Sequence, residues 1–168
     1  MKPALLVIDM QQAFCKSNPA TAQSYRDAFG TINAAIALFR GNDLPVFCIQ
    51  HMNAQEKLIP GEEGFDLPEE LNILASDRHI HKTYGNALNK TPLQAQLREL
   101  GVDALILTGF CAEFCVLATY RGAEDLDLTS ILLRGSLASG SAENIKFVEN
   151  ISDVISYGAL RKVLGENC

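Results

Sequence analysis

The chain has no cluster of lysine or arginine, no long hydrophobic run and no cysteine framework. Each absence removes a class of function. Neutralising nucleic-acid phosphates requires a basic face, and this chain carries a formal charge of −6, so nucleic acid is not expected as a partner. An anionic membrane surface is not expected for the same reason. Nowhere do about 18 apolar residues follow one another, so no membrane-spanning helix is expected. Only the run Ala4–Ile8 precedes Asp9, which is too short for a secretory leader. Five cysteines make an odd number at irregular spacing. They point to free thiols in a reducing compartment, hence the cytoplasm. No repeat, low-complexity tract or linker divides the chain, so residues 1–168 are expected to form one domain.

What is present is an alternation of short apolar runs and amphipathic stretches. Residues 4–8 (ALLVI) are continuously apolar, as in a parallel strand covered on both faces. Tyr25, Phe29, Ile32, Ile36 and Phe39 recur at three- and four-residue steps and predict a helix, with Gly41 as its stop. Residues 45–50 read as a second strand, followed by a long loop to Leu74. The segment from His79 to Lys82 reads as a short third strand. Thr91-Pro92-Leu93-Gln94 has the form of a capping box, predicting a helix to Leu100 that ends at Gly101. Residues 104–108 (ALILT) form the next strand, before a helix from about Phe114 to Glu124. Residues 128–133 predict another strand. Ser141 caps a helix reaching Glu149, Val154-Ile155 is a last short strand, and Ser156 caps a final helix through Leu164. This βαβ alternation implies an α/β fold: a three-layer α/β/α, Rossmann-like arrangement around a mainly parallel sheet of about six strands.

Such sheets bind ligands beyond the carboxyl ends of their strands. Asp9 ends the first apolar run, Lys82 ends the third strand, and Cys115 opens the helix after ALILTGF. Each has an ordinary explanation by itself: Cys115 as core, Asp9 as a turn or capping residue, Lys82 as a solvated surface group. Their common placement is what points to chemistry. A thiol at a helix start is expected to be acidified by the free N–H groups and by a nearby lysine. A carboxylate ending a buried strand needs a cation, and Lys82 is the candidate.

Three segments carry a family resemblance. Asp9-Met10-Gln11-Gln12-Ala13-Phe14 resembles the D-x-Q-x-x-F opening of isochorismatase-like cysteine hydrolases. The segment from Lys82 through Tyr84 to Leu88 is similar to their K-x-x-Y/F-x-A-F/L stretch. Thr108-Gly109-Phe110-Cys111-Ala112-Glu113-Phe114-Cys115-Val116 resembles their nucleophile segment. The resemblance implies a catalytic triad of Asp9, Lys82 and Cys115. It also implies a cis peptide at Phe110–Cys111, which would turn the N–H groups of Cys111 and Cys115 towards one point as an oxyanion hole. The expected activity is hydrolysis of a C–N bond, of the amide type, in a small molecule through a thioester. Phe14, His51, Tyr84 and Phe110 are expected to line the substrate pocket. Nicotinamidases of the family hold a metal through Asp-x-His…His after the second strand. Here Ile49-Gln50-His51 lacks the Asp, so neither metal nor other cofactor is expected. The chain leaves little material for a lid, and a homo-oligomer is expected to complete the pocket.

Three other readings compete. Isochorismatase-type vinyl-ether hydrolysis needs no acyl-thiol, so the presence of Cys115 favours the amide. A thiol redox sensor using Cys111 and Cys115 would have to work with C-x-x-x-C rather than the spacing of thioredoxin-like motifs. An idle binding domain that keeps the fold is the third, and a reactive Cys115 would count against it.

Overall fold

The computed structural model describes residues 1–165. Its strands are β1 (Pro3–Ile8), β2 (Val46–His51), β3 (Arg78–Lys82), β4 (Ala104–Gly109), β5 (Thr129–Leu137) and β6 (Val154–Ile155). The helices are α1 (Gln12–Cys15), α2 (Pro19–Gly41), α3 (Leu93–Glu99), α4 (Leu117–Glu124), α5 (Ala142–Asn150) and α6 (Tyr157–Leu164). All six strands are parallel, in the order β3-β2-β1-β4-β5-β6.

Both faces of the sheet are covered, which explains the unbroken apolar run of β1. Ala4, Leu6 and Ile8 face α3, α4 and Val148 of α5, while Leu5 and Val7 face α2 and Leu160 of α6. The α2 stripe is buried as its periodicity predicts, from Tyr25 to Phe39. Each such side chain contributes about 1.5–3 kcal/mol on leaving water. Among the described residues, no helix is long and apolar enough to cross a membrane.

Local signals failed at several boundaries. Helix α2 runs through Gly41 rather than stopping before it. The end comes where Asn42 donates its side-chain amide to the Leu38 carbonyl and Asp43 turns left-handed (φ 54°). The helix expected from Phe114 begins two residues earlier, as a wide turn over Ala112–Val116 in which the Val116 N–H reaches back to the Cys111 carbonyl. Thr91 does not form the capping box: its hydroxyl donates to Ala87 and accepts from Leu93, and α3 starts at Leu93. Strand β5 continues past Leu133 to Leu137, and Gly109 pairs with Leu137 after a register shift. The Ser141 side chain makes no cap bond, whereas Ser156 caps α6 by accepting from the Ala159 N–H.

The strand order reverses between β1 and β4, so their carboxyl ends open a crevice. Gly109 closes that edge at φ 109°, and a Cβ there would lie 2.1 Å from the Ile8 carbonyl oxygen. The clash is with backbone, which cannot swing aside as a side chain would. Gly109→Ala is therefore expected to cost about 4 kcal/mol or to prevent folding, read as the loss of the cooperative transition in denaturant unfolding. A melting curve like that of the unsubstituted chain would contradict this.

Candidate active site

Three strand ends supply the polar groups at the crevice. Asp9 follows β1 directly, in the left-handed region at φ 49°. Its N–H donates to the Ile49 carbonyl (2.9 Å), and its own carbonyl accepts from the Tyr25 hydroxyl (2.9 Å), so the residue is held from β2 and from α2. Lys82 ends β3, two strands away from Asp9. Strands lie about 4.8 Å apart, so Lys82 and Asp9 together must bridge roughly 9.6 Å of sheet edge over the end of β2. A long, unbranched side chain does this by meeting the short carboxylate part-way. Cys115 reaches the same point from the turn that follows β4, as the fourth residue of that turn and not its first.

The three side chains meet on one cation. Lys82 Nζ donates to Asp9 Oδ2 at 2.7 Å, lies 3.3 Å from Cys115 Sγ and 3.2 Å from His51 Nδ1. The Lys82 and Asp9 side chains are 0% and 2% exposed. Asp9 Oδ1 is buried with no hydrogen-bond partner, which leaves one oxygen of the carboxylate open to take a proton. Burial pushes the Asp9 carboxyl above its ordinary range, and the Lys82 charge and hydrogen bond oppose that rise without cancelling it. Burial, with Asp9 adding to it, pushes the Cys115 thiol up to about 11 in spite of Lys82. The sequence-based expectation of a thiol acidified by a helix start is thus reversed. Desolvation and a neighbouring carboxylate push the thiol the other way, against the pull of Lys82.

His51 also contacts the lysine. Its Nδ1 accepts from Lys82, so the ring is neutral and carries its proton on Nε2. Burial and the Lys82 charge both push its pKa down, consistent with that form. Gln11 was passed over as a functional residue, although it lies in the first motif. It is fully buried, and its amide donates to the His51 carbonyl (3.0 Å) and accepts from the His51 N–H (2.7 Å). That two-bond clamp extends the β1–β2 pairing past the last sheet residue. The only sequence signal for it was Gln at that motif position.

Phe14 and Phe110 stack with ring centroids 5.3 Å apart, and Tyr25 packs on Phe110 at 5.4 Å, forming an aromatic wall after β1 and β4. Tyr84 is 42% exposed and is engaged by Lys90 instead (3.0 Å). The Phe110–Cys111 peptide is cis. Among the described residues the Cys111 N–H has no hydrogen-bond partner, and the Cys115 N–H makes none outside its own turn. The Cys111 thiol faces Ser139 (4.0 Å) and Glu113 while Cys115 faces Lys82, so the two thiols have different surroundings. The residues do not fit a metal. Among those described, no three His, Cys, Asp or Glu side chains are placed to hold a metal ion: the Lys82 ammonium fills the point where Asp9, His51 and Cys115 meet, and His79 Nε2 lies 3.0 Å from the Leu74 carbonyl.

A family model described as Isochorismatase domain matches residues 3–151. An uncharacterised isochorismatase family protein of Bacillus subtilis (strain 168) is 30% identical over 126 residues, covering 73% of this chain and 70% of its own length. An isochorismatase-like hydrolase from Alkaliphilus metalliredigens has a TM-score of 0.89 at 23% identity, over 98% of this chain and 100% of that one. N-carbamoylsarcosine amidase from Thermoplasma acidophilum has a TM-score of 0.78 at 24% identity, over 93% and 95%. At these identities the likeness to the two solved structures is one of fold.

Gln11→Ala removes two partly buried hydrogen bonds and leaves the N–H and carbonyl of His51 without those partners. A loss of about 2–4 kcal/mol is expected in urea unfolding. A change below about 0.5 kcal/mol, the usual range of surface substitutions, would show that the clamp does not contribute.

Proposed function

The chain belongs to the isochorismatase family of hydrolases, and from that premise we propose that it cleaves a C–N bond of the amide type in a small molecule, with Cys115 as nucleophile. The observation that carries this reading is the buried Lys82 ammonium, shared between a buried carboxylate and a partly buried thiol. The fold likeness to an enzyme named as an N-carbamoylsarcosine amidase supports the substrate class.

In this scheme the thiol is neutral at rest, and Asp9 takes its proton as sulfur attacks the carbonyl carbon. The S–C bond forms, and the carbonyl oxygen becomes an oxyanion facing the N–H groups of Cys111 and Cys115. Losing one such donor typically costs about 100- to 1,000-fold in rate. The C–N bond then breaks, and Asp9 passes the proton to the leaving nitrogen. Asp9 next accepts a proton from water as the water attacks the thioester. The acid is released, and the proton returns to the Cys115 sulfur. Lys82 stays charged throughout and keeps Asp9 ionised between steps. The lifted pKa of Asp9 suits this role, because a base closer in pKa to its proton donor transfers less steeply uphill. Phe14, Phe110 and His51 border the position of the acyl group. Tyr84 would join them only by leaving Lys90.

The test is a panel of small amides, ureido compounds and isochorismate, assayed with the unsubstituted enzyme and with Cys115→Ala. Amide or ureido turnover that disappears in Cys115→Ala is the expected result. Turnover that survives the substitution, or activity on isochorismate alone, would overturn the reading.

A pH profile gives a second check. Below the Asp9 pKa the carboxyl is already protonated and cannot accept the thiol proton. The kcat/KM should therefore rise with pH through an apparent pKa above the free carboxylate value of about 3.9. It should stay level through neutrality, since the thiol gives up its proton only near 11. Asp9→Asn should lose about 100- to 10,000-fold and show no such rise.

A further inference from the structure

Glu113 lies in the turn between the cis peptide and Cys115, and the chemistry above assigns it nothing. Its neighbour Phe114 points outwards and is 69% exposed. Glu113 turns inwards. Its Oε1 accepts from Ser139 Oγ (3.0 Å) and from the Asn144 side-chain amide (2.6 Å), and the Cys111 thiol interacts with the same carboxylate. Oε2 is buried without a hydrogen-bond partner. An acid that served only the start of a helix would gain its dipole interaction while remaining in water. This one is partly buried and bonded inwards instead. Burial would lift its pKa, but hydrogen bonds from Cys111, its own backbone N–H, Ser139 and Asn144 hold it below the usual range, so it is a carboxylate at neutral pH.

The partners of Glu113 connect the segment after β4 to the one after β5. The Ala138 N–H donates to the Gly109 carbonyl, and the Ala112 N–H donates to the Ala138 carbonyl, both at 2.9 Å. These two bonds straddle Phe110 and Cys111. Ser139 is itself fixed: its N–H donates to Ser24 Oγ, and its hydroxyl accepts from the Ser141 N–H, both at 3.1 Å. Asn144 belongs to α5. The turn carrying the unpartnered Cys111 N–H is thus tied by backbone on one side and by Glu113 on the other.

We propose that Glu113 is a positioning residue, which aims the Cys111 and Cys115 N–H groups at the oxyanion by tying their turn to Ser139 and Asn144. The proposal rests on the nucleophilic role of Cys115. Glu113 touches neither substrate nor thiol nucleophile. It acts through the placement of two amides, where displacement of about 1 Å can cost 100-fold.

The test separates the hole from the thiol. Iodoacetamide alkylates sulfur without forming an oxyanion. Acetaldehyde adds Cys115 across its C=O: the S–C bond forms, the carbonyl oxygen becomes an alkoxide in the hole, and the thiol proton moves to Asp9. Alkylation of Cys115 is followed by peptide mass spectrometry, and acetaldehyde affinity is read as protection from it. Glu113→Ala should weaken acetaldehyde protection about 10- to 100-fold while leaving the alkylation rate within about twofold. Glu113→Gln keeps an acceptor for Ser139 and Asn144 and should restore protection. Ser139→Ala, a milder change should Glu113→Ala fail to fold, should shift protection in the same direction by a smaller factor. Equal losses in both reactions, unchanged protection, or no rescue by Gln would overturn the proposal. An unsubstituted enzyme that is alkylated at Cys115 but not protected would overturn it too. A Cys115 that reacts with neither reagent would overturn the nucleophile assignment itself, and this proposal with it.

Discussion

A primary ammonium group, almost entirely removed from water, is held between a carboxylate, an imidazole nitrogen and a thiol. Taking such a charge out of water costs several kcal/mol, which is recovered only where geometry and further hydrogen bonds are good. Lys82 meets that condition with Asp9 at 2.7 Å, with His51 and Cys115 completing its surroundings. Much of the neighbouring structure follows from it. Asp9 must stay in place, and so its backbone is bonded to Ile49 and Tyr25. His51 must present a lone pair, and so its backbone is clamped by Gln11. The thiol gains a cation beside it, yet the burial that strengthens this contact also keeps the thiol protonated.

That balance sets the character of the site. Exposed cysteines near helix starts ionise readily and attack as preformed thiolates. Here the thiol and the carboxylate flank one buried ammonium, and both are pushed upwards by burial. In the proposed scheme, proton transfer between them is therefore part of the attack rather than a preliminary to it. A further benefit is selectivity, since a thiol that stays protonated is a poor target for solvent oxidants.

Much of this was legible in the sequence, for identifiable reasons. Residues 4–8 and 104–108 are apolar without alternation because two helical layers cover them, and that pattern survives without knowledge of the partners. Asp9, Lys82 and Cys115 were found because strand ends in a parallel sheet collect on one edge. What escaped was long-range or collective. The Gln11–His51 clamp spans 40 residues, and nothing local marks a glutamine that bonds backbone rather than solvent. The contact of His51 with Lys82 depends on the register of β2 with β3, which no local pattern reveals. The stop at Gly41 and the start at Phe114 follow average habits of helix ends, and here the Asn42 side-chain bond to Leu38 and the wide turn closed by Val116 on Cys111 set the ends instead. The acidity of Cys115 was misjudged because a helix-terminus rule carries no information about desolvation.

The strand order also matters while the chain is being made. Strand β1 pairs with β2 on one side and β4 on the other, and β4 is synthesised nearly 100 residues later. Until then a growing chain has β1, β2 and β3 in hand but an open, apolar β1 edge. Such an edge invites pairing with a neighbouring nascent chain. The Asp9–Lys82 pair is itself complete only when β3 has been made, so the open β1 edge persists over most of the interval in which Asp9 still lacks its cation.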